Sequence, residues 1–124
     1  MAARQLGVFL LVTAALGCGS GATIPSELQG RWICGDERYA GRSLLITPRS
    51  LIFASDMTSS ENFTVRSVDS RLESDGSLTA RVAYGRGGEK LEIRIRRLET
   101  EPPSLAIGDR PERWTLAPSN WAMP

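Results

Sequence analysis

The chain has two thiols, Cys18 and Cys34, and no histidine among its 124 residues. Without an imidazole, neither a Ser-His-Asp nor a Cys-His relay can be assembled, and the commonest transition-metal ligand is missing. Two cysteines sixteen positions apart do not form a zinc knuckle. Carboxylates are the remaining acid–base groups. Asp36 and Glu37 stand together, and Asp69, Glu73 and Asp75 form a second group. Both lie beside turns, where charged side chains are normally solvated, so neither is expected to act as a catalytic pair or a calcium site. Gly85-Arg86-Gly87-Gly88 lies between two strand-like runs and reads as a hairpin turn, not a phosphate loop. No enzyme activity and no cofactor are expected.

Cys18 is the residue with the most telling surroundings. Arg4 and the terminal amine precede an uncharged run from Leu6 to Leu16, which ends in Gly17-Cys18-Gly19-Ser20-Gly21-Ala22. The run is shorter than the roughly 20 residues that span a bilayer, and has the layout of a signal peptide. Ala15-Leu16-Gly17-Cys18 resembles the lipobox of bacterial lipoproteins, with Gly17 and Cys18 fitting the pattern and Ala15 and Leu16 departing from its usual residues. The resemblance implies cleavage between Gly17 and Cys18 and a diacylglycerol on the Cys18 sulfur. A further acyl chain on the new amine would make the anchor stable. Cleavage after Gly17 or Ala22 without lipidation is the alternative, in which Cys18, if retained, could pair with Cys34. With Cys18 lipidated, Cys34 is expected to be a lone core thiol. Gly19 in place of Asp after the cysteine points to the outer membrane by the enterobacterial sorting pattern.

These assignments divide the chain into a signal peptide (residues 1–17), a lipidated cysteine with a flexible tether (18–26) and one small domain (27–124). Removing residues 1–17 takes away one basic residue, Arg4, and no acidic one, so the mature chain is close to neutral. Phosphate-backbone binding needs a basic surplus, so nucleic acid is not an expected partner.

From Arg31 onward the pattern is β. Lys90 to Arg96 alternates strictly, with Leu91, Ile93 and Ile95 on one face, and Leu78, Ala80, Val82 and Tyr84 share a face of the preceding run. Further strands are expected at 31–35, 43–47, 50–55, 62–72, 104–107 and 113–117. Asp75-Gly76 and Pro48-Arg49 supply tight turns. Between Val65 and Val68 the apolar phase slips, which predicts a β-bulge near Arg66-Ser67. About eight short sequential strands predict an all-β, antiparallel, up-and-down arrangement: a closed barrel without exposed edges, or an open sandwich. Arg81, Arg94 and Arg96 with Glu92 fall on the outer face, as a solvated sheet exterior or a basic contact stripe.

Gly30-Arg31-Trp32, at the head of the first of these strands, is similar to the G-x-W start of lipocalin-type barrels. That resemblance implies an eight-stranded barrel whose closed end is plugged by Trp32. It also implies an arginine of the last strand packed over the indole, with Arg113 as first choice and Arg110 as second. A cation over an indole face is worth about 0.5–2 kcal/mol. Two functions follow as expectations. One is a lipid-anchored, monomeric binding module for a small apolar ligand or an envelope component, with cavity walls of Leu78, Val82, Leu91, Ile93 and Ile95. The other is a protein-interaction domain resembling periplasmic metalloprotease inhibitors, in which Thr23-Ile24-Pro25-Ser26 would form a trunk entering the protease cleft. The disulfide of those inhibitors is incompatible with a lipidated Cys18.

Overall fold

The computed structural model describes residues 18–55 and 59–118, with the backbone alone for 18–21. The signal segment and the cleavage position at Gly17 lie outside the described residues. Nine strands are present among the described residues: β1 (Cys18–Gly21), β2 (Gly30–Cys34), β3 (Ser43–Ile46), β4 (Ser50–Ala54), β5 (Ser60–Leu72), β6 (Leu78–Gly85), β7 (Leu91–Leu98), β8 (Ser104–Ile107) and β9 (Arg113–Leu116). Strands β2 to β9 pair antiparallel, each with its sequence neighbour, and β9 pairs back to β2. The result is a closed, eight-stranded, up-and-down barrel. Closure leaves no free edge among these eight strands, which removes the aggregation hazard of an open sheet.

Apolar residues at every second position point into the barrel and meet across strands: Leu44 against Phe53 and Trp32, Val82 against Val68 and Ile93, Ala80 against Ile95. The predicted bulge is present. The β5–β6 register shifts between Val65 and Ser67, leaving Arg66 as the extra residue. Without this insertion Val68 would share the outward parity of Thr64, because strand side chains alternate with period two. With it, Val65 and Val68 are both buried, at 5% and 3% exposure.

One end of the barrel is solid. Ile24, Leu28, Trp32, Leu44, Ile46 and Leu51 are inaccessible to within 1% and form the floor, continuous with Ala80, Val82, Ile95 and Leu105. A helical turn at Ser26–Leu28 lies across this end. The Trp32 indole N–H donates to the Leu28 carbonyl at 2.9 Å, the Gln29 amide to the Ile24 carbonyl at 2.9 Å, and the Ile24 N–H to the Pro48 carbonyl at 2.8 Å. The polar groups of the plug are thereby paired within it, which a buried backbone requires. Gly30 has φ +130°, and a Cβ there would sit 2.9 Å from Leu116 Cδ2. The glycine of the G-x-W motif is therefore favoured by the backbone conformation, with the Leu116 side chain approaching closely.

The segment ahead of the plug adds a strand of its own. β1 runs antiparallel to the floor half of β5, Cys18 opposite Arg71 and Gly21 opposite Val68. The stretch expected to be a flexible tether is thus paired at its start, and Ile24 belongs to the core.

On the outer face Arg81 pairs with Glu92 at 3.0 Å, Arg96 with Asp75 at 2.8 Å, and Arg94 with Asp109. Every arginine of the expected outer stripe has a carboxylate partner. Exposed pairs of this kind contribute little to stability. Their effect is to cancel the stripe's positive charge.

A candidate ligand site at the open end of the barrel

The other end of the barrel is open. The β2–β3, β4–β5, β6–β7 and β8–β9 connections all lie there, and between them is a half-open cavity of about 790 Å³. Its walls are Phe53 from β4, Tyr84 from β6, Ile93 from β7, Ile107 from β8 and Trp114 from β9. Each is an inward-facing residue near the mouth end of its strand. The Phe53 and Tyr84 rings are tilted against each other 6.1 Å apart, and both meet Phe63 edge-on, at 5.7 and 5.3 Å. Such aromatic contacts set ring orientation as well as covering area. Burial pushes the Tyr84 phenol above its ordinary pKa, with the nearby Glu89 carboxylate adding to the effect, so the wall is uncharged at neutral pH.

The rim is built from the β2–β3 and β8–β9 loops. A second helical turn, Glu37–Tyr39, is capped by Asp36, whose carboxylate accepts from the Arg38 backbone N–H. Arg38 also ion-pairs with Asp36 at 3.0 Å and reaches Glu112 at 2.8 Å, tying the two loops together. Tyr39 stacks at a tilt on Trp114, centroids 5.5 Å apart, and its hydroxyl accepts from Arg110 Nη1 at 2.7 Å. Arg42 places its guanidinium carbon 5.8 Å from the Tyr39 ring centre. Ser55, Ser59, Ser60 and Glu61 complete the mouth on the β4–β5 side.

The Arg38 hydrogen bonds hold the Asp36 carboxyl at a pKa of about 2, below its ordinary 3.8. A depressed acid stabilises the folded rim while ionised. The contribution is complete above about pH 4 and is lost as pH falls through about 2. In a carboxyl-detected NMR titration Asp36 should show a midpoint near 2. Arg38→Ala should move it part of the way back toward 3.8, because the backbone N–H of residue 38 still donates; an unchanged midpoint would show that the Arg38 side chain is not a cause.

The structure redistributes several residues singled out in the sequence. Arg113 does not cover Trp32. The last-strand residue opposite Trp32 is Leu116, and Arg113 lies on the other face of β9, donating to the carbonyls of Arg110, Pro111 and Glu112. The reason is parity: Trp114, opposite Leu105, points inward, so Arg113 points outward. Arg110 stands at the mouth, away from Trp32. The basic residue that the inward register brings to the floor end is Arg97, opposite Leu78 and Leu105. Its Nη1 binds Glu99 at 2.9 Å, and its Nε is buried without a hydrogen-bond partner.

Of the five expected cavity-wall residues, Ile93 alone lines the cavity. Val82 and Ile95 are fully buried beneath it, Leu78 packs against the core, and Leu91 is 38% exposed. Cys34 is a half-buried free thiol on the inward face of β2, opposite Trp114. Cys18 on β1 pairs with the floor end of β5, whereas Cys34 lies at the mouth end of β2, with β5, β4 and β3 between their strands. A disulfide requires Cα atoms within about 7 Å, so this arrangement keeps the two cysteines apart. Asp75 is held below its ordinary pKa by the Ser77 hydroxyl and backbone N–H, with Arg96 adding to the effect. Among the described residues no three acidic, cysteine or histidine side chains gather as a metal site. The segment Thr23-Ile24-Pro25-Ser26 does not project as a trunk, because Ile24 is wholly buried in the floor.

Phe53, Tyr84, Trp114, Tyr39 and Arg42 were not marked out by the sequence alone. A signal for three of them was present. Phe53 and Tyr84 are apolar-phase aromatics near the C-terminal ends of β4 and β6, and Trp114 is near the N-terminal start of β9; an up-and-down barrel brings these ends to one mouth. Tyr39 and Arg42 sit in a loop and carry no periodic signal.

No family model matches the chain, and no curated protein or solved structure is significantly similar to it.

Proposed function

We propose that the protein is a lipid-anchored component of the bacterial cell envelope whose barrel takes up a small apolar ligand at its open end. The observation that carries this reading is the cavity of about 790 Å³ walled by Phe53, Tyr84, Ile93, Ile107 and Trp114. Small-molecule sites typically measure about 300–1,000 Å³, with mostly apolar and aromatic linings. The solid floor supports the same reading. Trp32 and the residues packed on it fill the floor end, and the cavity-wall residues pack against that core from above without filling the mouth.

The anchor reading rests on Gly17-Cys18 and the uncharged run before it. It fits the strand geometry. Cys18 is opposite Arg71, at the floor end of β5, so a lipid there would turn the floor toward the bilayer and the mouth away from it. The burial of Ile24 works against the protease-inhibitor alternative, which needs that segment free.

Two measurements test the proposal. N-phenyl-1-naphthylamine, an uncharged apolar fluorophore, should bind saturably at one site per chain. Narrowing the cavity with Ile93→Trp and Ile107→Trp together should weaken binding at least tenfold. Absence of saturable binding, or equal binding by the narrowed variant, overturns the ligand site. Cells fed radioactive palmitate should label the wild-type chain and not Cys18→Ala; equal labelling of the two refutes the anchor.

A further inference from the structure

Several arginines of this protein are paired with carboxylates, but the two whose side chains line the cavity at the mouth are not. Arg38 holds Asp36 and Glu112, while Arg81, Arg94, Arg96 and Arg97 hold Glu92, Asp109, Asp75 and Glu99. Arg42 and Arg110 line the cavity, and neither has a carboxylate partner among the described residues. Both converge on one aromatic ring. Arg110 Nη1 donates to the Tyr39 hydroxyl at 2.7 Å, and the Arg42 guanidinium carbon lies 5.8 Å from the ring centre. Tyr39 in turn leans on Trp114, part of the apolar wall. The two guanidinium groups are therefore tethered to the same fixed phenol, at the boundary between apolar wall and solvent. The one acidic side chain among the described residues lining this cavity is Glu61, on the β4–β5 side of the mouth.

From this arrangement we infer that the ligand is a single-chain amphiphile with an anionic head. The inference deepens the reading of the mouth as a ligand site and rests on it. The alkyl chain lies against Phe53, Tyr84, Ile93 and Ile107. The head meets Arg42 and Arg110, whose planar guanidinium forks suit the paired oxygens of a carboxylate or phosphate. A neutral ligand of the same length fills the same walls but gives the two cations no counter-charge beyond their contacts to Tyr39. A cationic one is repelled by them. Charge at the rim therefore decides which apolar molecules are retained, and the walls decide only how long they are.

The test uses the exported chain carrying Cys18→Ser, which removes any acyl group from that position, and isothermal titration with dodecanoate, dodecyl phosphate, methyl dodecanoate and dodecylammonium. Dodecanoate or dodecyl phosphate should bind at least tenfold more tightly than methyl dodecanoate, and the better of the two identifies the head. The preference should shrink as salt rises. Arg42→Met with Arg110→Met should bring the anionic and neutral probes within twofold of each other while methyl dodecanoate binding is retained, which also shows that the variant is folded. Equal affinity of anionic and neutral probes for the unaltered rim, or a preference for dodecylammonium, overturns the head-group assignment and leaves the apolar site standing. Binding of none of the four probes overturns the ligand site itself.

Discussion

Trp32→Ala should destabilise the barrel by about 3–5 kcal/mol, the range for deleting a fully buried large aromatic side chain. The side chain is wholly inaccessible and belongs to the same buried cluster as Leu28, Leu44 and Ile46. Its removal opens a cavity that the closed sheet cannot collapse to fill, because every floor strand is hydrogen-bonded on both sides. It also orphans the Leu28 carbonyl, which accepts the indole N–H. Domains of this size have total stabilities of about 5–15 kcal/mol, so the loss is a large fraction of the whole. Urea unfolding followed by far-UV circular dichroism measures it directly. Trp32→Phe should cost less, since most of the volume remains and the hydrogen bond alone is lost. A change below about 1 kcal/mol for the alanine variant would show that Trp32 does not plug the barrel.

Ile24→Asp should be at least as damaging, by about 4 kcal/mol or more. It removes a fully buried aliphatic chain and puts an ionisable group in its place. The size of the effect comes from where Ile24 sits: beneath the barrel, wholly buried, with its N–H on Pro48 and its carbonyl on Gln29. Burial would raise the introduced carboxyl above its unfolded pKa of about 3.9. The folded state would then bind that proton more tightly than the unfolded state. The destabilisation should therefore deepen as pH rises above about 4 and shrink toward lower pH. Ile24→Val, at about 0.5–1.5 kcal/mol, controls for loss of packing alone. The comparison also separates the two functional readings. A segment that projected as an inhibitory trunk would tolerate aspartate with little change in unfolding midpoint; a floor plug would not.

Much of the barrel was legible in the chain. The alternation at Leu91, Ile93 and Ile95 and at Leu78, Ala80, Val82 and Tyr84 located β6 and β7 within a residue or two, because a half-buried strand must repeat with period two. The bulge was legible for the same reason: Val65 and Val68 cannot both face inward on a regular strand. Gly30 and Trp32 marked the floor through their resemblance to the G-x-W start, and the positive φ at Gly30 favours glycine there. β1 was not legible, since Cys18-Gly19-Ser20-Gly21 has no apolar alternation and its pairing depends on the length of β5. Arg113 was misassigned through register. One position along β9 separates the inward Trp114 from the outward Arg113, and no local pattern in Arg113-Trp114-Thr115-Leu116 says which end of the barrel each residue reaches.

The amino-acid sequence by itself determined the all-β class, the approximate number and order of the strands, and the absence of imidazole chemistry, each from composition or local periodicity; the floor around Trp32 was implied by the resemblance of Gly30-Arg31-Trp32 to the start of a lipocalin-type barrel. Only the tertiary structure decided that the upper half of the barrel is open, that Phe53, Tyr84, Ile107 and Trp114 line it with Ile93, and that Arg42 and Arg110 stand together at its rim. Those residues come from strands and loops far apart in the chain. What unites them is closure of the sheet, which brings these strand ends to one mouth, and closure is a property of the register of all eight strands together. Cys18 lies at the other end of the same barrel, so the candidate anchor and the candidate ligand site are set apart by that one geometric fact.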